Sequence, residues 1–167
     1  MRRALEGEWR GAGGVAVFGH RPVRLVVGLP ETVLPRLSVA ERFDLRPLRA
    51  QLDLWPASLV VVADKEGARI YISVLDRLSL VASIEGRPIH RHRQGGTSAE
   101  QWQRREDEHT AHNLKKVARR LERILRSWPR RYGAVLLAAP AEAAAELTSH
   151  LPEDLRTLVH REPGIAA

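Results

Sequence analysis

Leu59-Val60-Val61-Val62-Ala63 runs directly into Asp64-Lys65-Glu66-Gly67. An unbroken apolar run rich in β-branched residues predicts a buried strand. Asp-Lys-Glu-Gly is turn chemistry, with Gly67 expected at a position that needs a positive φ. Beyond the turn, Ala68–Leu75 and Leu78–Ile84 predict two more strands, completing a three-stranded meander. Glu85–Thr97 is polar and basic and contains Gly86, Pro88, Gly95 and Gly96, so a loop is expected there. Ser98-Ala99-Glu100-Gln101 then has the form of a capping box. Neither Pro nor Gly recurs before Pro129, which predicts one helix over 99–128.

The two halves of that helix differ. Leu114, Val117, Ala118, Leu121, Ile124, Leu125 and Trp128 keep the three-and-four spacing of a core-facing stripe. Glu100–Asn113 offers only Trp102 and Ala111 among charges, so this half is expected to project beyond the domain body and carry the preceding loop at its tip. Gly133–Ala139 predicts a further buried strand; Ala141–His150 and Pro152–Val159 are helix-like, and Arg161–Ala167 has no such pattern. Upstream, Val15–Phe18 and Val23–Leu29 predict two strands across a Gly19-His20-Arg21-Pro22 turn, and Arg46–Leu54 a short helix with Pro47 near its start. Strands, long helix, strand and helix define an α/β sandwich. Pro56 suggests a division into a truncated β-rich segment, residues 1–54, and an α/β domain, residues 55–167.

Composition narrows the function. In 167 residues, 44% apolar and 28% charged, a real core is affordable and a disordered tail is excluded. The absence of cysteine removes disulfide scaffolds, thiolate zinc sites, iron–sulfur clusters and cysteine nucleophiles. No apolar run approaches the roughly 20 residues of a membrane span, and Met1–Glu8 lacks the apolar stretch of a secretory signal. A cytosolic protein without a membrane partner is expected. The formal charge is +7, and its surplus is local: Arg87–Arg131 holds 13 Lys/Arg against 5 Asp/Glu, while the rest of the chain is close to neutral. Such a segment suits a polyanion such as nucleic acid, or else is a solvated basic helix face.

The informative segment is His92-Arg93-Gln94-Gly95-Gly96-Thr97-Ser98-Ala99-Glu100-Gln101-Trp102-Gln103-Arg104-Arg105. Its two glycines permit close approach of a partner to the main chain. They stand before a helix N-terminus, where free N–H groups favour phosphate or an oxyanion. The alternative is an ordinary glycine-tipped loop. Arg93-Gln94-Gly95-Gly96-Thr97-Ser98-Ala99, Trp102, Gln103-Arg104-Arg105 and Asn113 resemble the central domain of the archaeo-eukaryotic peptide chain release factors, and more closely that of their bacterial relatives. Val60–Asp64, Gly67–Tyr71, Arg46-Pro47-Leu48 and Leu151-Pro152 fit the same pattern, so the resemblance spans roughly residues 13–160. It implies a ribonuclease H-like mixed sheet packed on a long helix. It also implies action in the ribosomal A site, with the Gly-Gly tip near the peptidyl transferase centre and the tRNA acceptor end.

Two departures qualify what the resemblance implies. Thr97 stands where release factors carry glutamine after the glycines, and Gln101, one helical turn on, is read first as the capping partner of Ser98 and second as a catalytic amide. The codon-reading N-terminal domain is at most a stub and the C-terminal domain is missing, so codon-specific termination is not expected. The expectation is therefore a ribosome-associated, RNA-binding factor of dormancy or rescue type. Gly95, Gly96 and Thr97 would sit at the acceptor end, with Arg91, Arg93, Arg104 and Arg105 on rRNA phosphates and Trp102 either stacking on a base or pinning the loop. A peptidyl-tRNA hydrolase using the Thr97 N–H and Gln101 is the second reading, and a non-ribosomal interaction domain the third. No cofactor or metal is expected: His90/His92 and His109/His112 read as RNA-facing or solvated. Asp64, Glu66, Asp76 and Glu85 read as turn and strand-end residues rather than a nuclease cluster.

Overall fold

The computed structural model describes residues 12–88, 99–127 and 132–162. Seven strands and four helices occur among them, and they fall into two compact units, one of residues up to Ala57 with Ser73–Leu78, the other of Ser58–Ile72 with the residues from Ser79 onward. Strands β1 (Gly14–His20) and β2 (Val23–Leu29) pair antiparallel, with Val17 opposite Val26 and a cis Arg21–Pro22 bond at the turn. Helix α1 (Arg46–Leu54) has Pro in its first turn, where a missing N–H costs nothing. Asp44 precedes it, accepting both guanidinium hydrogen bonds of Arg46 at 2.8 Å and an ion pair from Arg36 at 3.1 Å. The Arg46 hydrogen bonds hold the Asp44 carboxyl well below the usual carboxylate range. Any stability this cluster adds is complete above the unfolded carboxylate range and is lost only in stronger acid.

The second unit is built on a five-stranded mixed sheet in the order β5-β4-β3-β6-β7. Strands β3 (Ser58–Ala63), β4 (Gly67–Val74) and β5 (Arg77–Glu85) follow one another through short turns, as the meander predicts. Strand β6 (Val135–Ala138) runs parallel to β3, with Leu59 opposite Val135 and Val61 opposite Leu137. Leu59, Val61 and Val135 are wholly buried. A parallel neighbour needs a crossover, and the 29-residue helix α2 (Ala99–Ser127) provides it. Its Leu114, Val117, Ala118 and Leu121 are buried, with Ile124 and Leu125 nearly so, as the spacing predicts; Trp128 lies outside the described residues. Helix α3 (Ala141–Ser149) packs against α2 through its alanine-rich face, with Ala143, Ala144 and Leu147 buried.

Two local expectations are corrected. Gly67 takes no positive φ. It opens β4, and a Cβ there would collide with the Ile84 carbonyl oxygen, so its role is close strand approach. The positive φ belongs instead to Leu75, at 55°, in the two-residue β4–β5 turn, a conformation that costs an L-residue roughly 1–2 kcal/mol. Pro152–Val159 is not one helix. Helix α4 occupies only Glu153–Arg156, and Val159–Arg161 becomes β7, parallel to β6. The cause is tertiary: the Arg156 guanidinium turns back to donate to the Leu151 and Ser149 carbonyls, both at 2.7 Å, closing the end of α3. Val159 then meets the open edge of β6.

Residues 101–111 of α2 include no buried side chain among those described, in accord with a half-helix that stands clear of the core. Truncating Leu121 to Ala should therefore cost on the order of 2–5 kcal/mol, whereas Glu108→Ala should leave stability within about 0.5 kcal/mol. Thermal or urea melts showing equal damage at the two positions would contradict this division of the helix.

Candidate functional site

The Gly-Gly segment, with Arg91, Arg93, Gly95, Gly96, Thr97 and Ser98, lies outside the described residues, but both of its roots are described. One root is the stretch leaving β5, Gly86-Arg87-Pro88. The other is the first turn of α2, beginning at Ala99. Gln101, Arg104 and Arg105 are exposed on that turn and the next; of Trp102 only the helical backbone is described. Gln103 reaches one turn along to donate to Asp107 at 3.3 Å.

Asn113, in the middle of α2, holds the first root. Its side chain is 1% exposed and uses both ends of the amide. Nδ2 donates to the Lys65 carbonyl in the β3–β4 turn and to the Arg87 carbonyl, each at 3.0 Å, while Oδ1 accepts from the Arg87 N–H at 2.8 Å. The Gly86 N–H adds a bond to the Glu66 carbonyl at 2.6 Å. Gly86 is required here: a Cβ would overlap both the Asn113 amide carbon and the Glu66 carbonyl oxygen. Asp64 shapes the same turn by accepting from the Glu66 and Gly67 N–H groups at 2.7 and 2.8 Å. The carboxylates weighed as a nuclease cluster are thus partly committed to turn geometry. Among the described residues no three His, Asp or Glu side chains converge as a metal site would require.

A second feature escapes the motif reading. Lys115, Lys116, Arg119, Arg120 and Arg123 of α2 line an open groove of about 610 Å³ with Ala82–Glu85 of β5. Lys116 Nζ donates to the Glu85 carbonyl at 2.8 Å. The signal was present in the sequence as a basic stripe opposite the core stripe, at the same three-and-four spacing, but the glycine motif drew the assignment to arginines nearer the tip.

The described fold is a mixed sheet crossed by one long helix, with the exit from β5 held on that helix by Asn113. Over 88% of its length the chain matches the archaeal translation termination factor aRF1 (TM-score 0.50, 18% identity), covering 41% of that structure. A second archaeal protein matches over 84% of the chain (TM-score 0.50, 17% identity), with 38% of it covered. The chain thus spans about two fifths of the length of these solved structures. No curated protein matches by sequence. The model of bacterial archaeo-eukaryotic release factor family 10 matches residues 44–166, and the chain belongs to that family. No helix among the described residues is long and apolar enough to cross a membrane.

Removing the clamp tests its role. Asn113→Ala deletes three hydrogen bonds and strands buried main-chain groups, so stability should fall by roughly 2–4 kcal/mol. Proteolytic cleavage between residues 86 and 99 should accelerate more than cleavage elsewhere. Gly86→Ala should reproduce the effect, because its Cβ displaces the same amide. Unchanged melting and cleavage in both variants would remove Asn113 from this role.

Proposed function

We propose that the chain is a ribosome-binding factor of dormancy or rescue type that presents Gly95-Gly96-Thr97 to the tRNA acceptor end or the peptidyl transferase centre without efficient hydrolysis. The observation that carries this reading is the Asn113 clamp at the root of the loop, beside a helix half that buries nothing. A loop anchored at its base and followed by an exposed helix is suited to entering a narrow site in a large partner. Residues 55–167 are the working domain in this reading, and residues 1–54 a short β-rich segment. Arg91, Arg93, Arg104 and Arg105 face rRNA phosphates in the ribosomal A site, with Trp102 beside them.

The chemistry follows from what the tip retains and lacks. Thr97 keeps a main-chain N–H, and a preorganised donor of this kind can stabilise an oxyanion by a few kcal/mol. Its side chain has no amide to place water against the ester, so the hydrolytic step loses its second requirement. Gln101 carries an amide but stands in the first turn of α2 itself, exposed. Hydrolysis of peptidyl-tRNA through Gln101 is the competing reading, and it makes the opposite prediction.

The test is cosedimentation with idle ribosomes and with ribosomes holding labelled peptidyl-tRNA, together with release of the labelled peptide. The wild type should pellet with ribosomes and release peptide slowly or not at all. Thr97→Gln should raise release, each tenfold gain corresponding to about 1.4 kcal/mol off the barrier, and Gly96→Ala in that background should abolish the gain. Robust wild-type release that Gln101→Ala removes would overturn the binding-only reading in favour of the hydrolase. Absence from the ribosome pellet would overturn both.

A further inference from the structure

We infer that the groove between the second half of α2 and β5 is a docking surface for the phosphate backbone of an RNA double helix, separate from the Gly-Gly tip. The inference rests on the ribosome-binding reading for its choice of RNA; the surface itself stands on its geometry.

Lys115, Lys116, Arg119, Arg120 and Arg123 occupy the side of α2 opposite its buried stripe, and none has a carboxylate partner among the described residues. Several cations elsewhere do have carboxylate partners. Arg126, one turn on, meets Glu122 at 2.9 Å and Asp154 at 3.5 Å; Arg46 meets Asp44 at 2.8 Å; Lys65 meets Glu142 at 3.9 Å. Five neighbouring cations left without counter-charge repel one another, and a bound polyanion removes that cost. Glu85 brings a carboxylate to the groove edge, but the contact recorded for it is the Lys116 hydrogen bond to its main-chain carbonyl. The charge of the groove is therefore strongly positive.

Its shape and chemistry select the polyanion. From Lys115 to Arg123 the row extends ~12 Å along the helix axis, enough for several consecutive phosphates and more than one isolated phosphate or nucleotide engages. Arginine supplies three of the five cations, and its planar fork suits phosphate oxygens. The β5 side is lined by the small residues Ala82 and Ser83, leaving room for a backbone to approach. Among the described residues no aromatic side chain other than His112 lines the groove, so they offer base stacking of a single strand little platform. Among the described residues α2 itself presents no exposed large apolar side chain, although Leu80 and Val81 of β5 are exposed; a helix lying in a membrane surface needs its own apolar face open to lipid. What remains is sequence-independent contact with the rigid phosphate rows of an A-form helix.

The full chain should bind a generic 20-base-pair RNA duplex, read by fluorescence anisotropy, with affinity falling steeply as salt rises. K115Q/R119Q/R123Q should weaken binding about tenfold or more at low salt and reduce the log–log salt slope by about two to three units. Its melting temperature should match the wild type, since all three residues are exposed. Arg126→Gln, which removes a cation already paired within the protein, should change neither affinity nor slope. Equal binding by the triple variant, no binding of the duplex by the wild type, or tight binding of inorganic pyrophosphate without affinity for the duplex would each overturn the assignment. Ribosome cosedimentation run alongside separates the two readings. A chain that pellets with ribosomes but ignores the duplex loses the groove and keeps the tip. One that binds the duplex through the groove but never pellets keeps the groove and loses the ribosome.

Discussion

The second unit depends on one amide. Asn113 sits on a helix whose neighbouring positions are either core or solvent, and it belongs to neither. It is buried, polar and saturated by main-chain partners from two separate segments, the β3–β4 turn and the exit from β5. A buried amide without partners would cost several kcal/mol. Fully bonded, it fixes where β5 ends, which way the chain leaves it and how that exit is seated on α2. Leu or Ala here would fill space but could not satisfy the Lys65 and Arg87 carbonyls or the Arg87 N–H. Gly86 completes the arrangement, because any side chain there would occupy the volume of the amide. The loop that carries the family motif thus leaves the fold from a point fixed by hydrogen bonds rather than by apolar packing.

Much of this was legible in the sequence where a single local rule governs. The apolar run at 59–63, the Pro- and Gly-free interval after the loop and the core stripe from Leu114 to Leu125 gave β3, α2 and the interior correctly, because periodicity and helix breakers act over short distances. The misses lie where a distant partner decides. Val159–Arg161 becomes a strand because β6, distant in sequence, offers an open edge, while Arg156 closes α3 through the Leu151 and Ser149 carbonyls just upstream, a contact that helix periodicity does not register. Gly67 was read as a turn glycine, yet the constraint comes from the Ile84 carbonyl across the sheet. For Asn113, the family pattern marked the position but not the reason: an asparagine in a helix interior reads as neutral to unfavourable until the carbonyls it serves are known.

The same distinction applies to charge. Counting along the chain located a basic segment but could not sort its members, since ion pairing is a property of three-dimensional neighbours. In the fold, Arg126 is neutralised by Glu122 and Asp154, and the Glu122 hydrogen bond raises its pKa further above the ordinary arginine value. Five of the segment's 13 cations line one groove without a carboxylate partner among the described residues, so part of the excess seen in the sequence is gathered on one helix face. A field focused in this way steers a large anionic partner from a distance and orients it on arrival.

Tip and groove then divide the work along one helix. No described side chain among residues 101–111 is buried, whereas Leu114, Val117, Leu121 and their neighbours on the same stripe are locked into the core, so the anchored half of α2 carries the groove cations and the outer half follows the loop. Phosphate contacts are strong but indifferent to where along a duplex they form, and a glycine loop without an amide side chain offers little affinity of its own. In the proposed reading the helix joins the two: α2 rises ~1.5 Å per residue, so its start at Ala99 stands about 30 Å along the axis from Arg119 in the groove. A partner must present phosphate rows and a narrow cleft at that separation to satisfy both. If both proposed surfaces act, discrimination lies in a length that neither possesses alone.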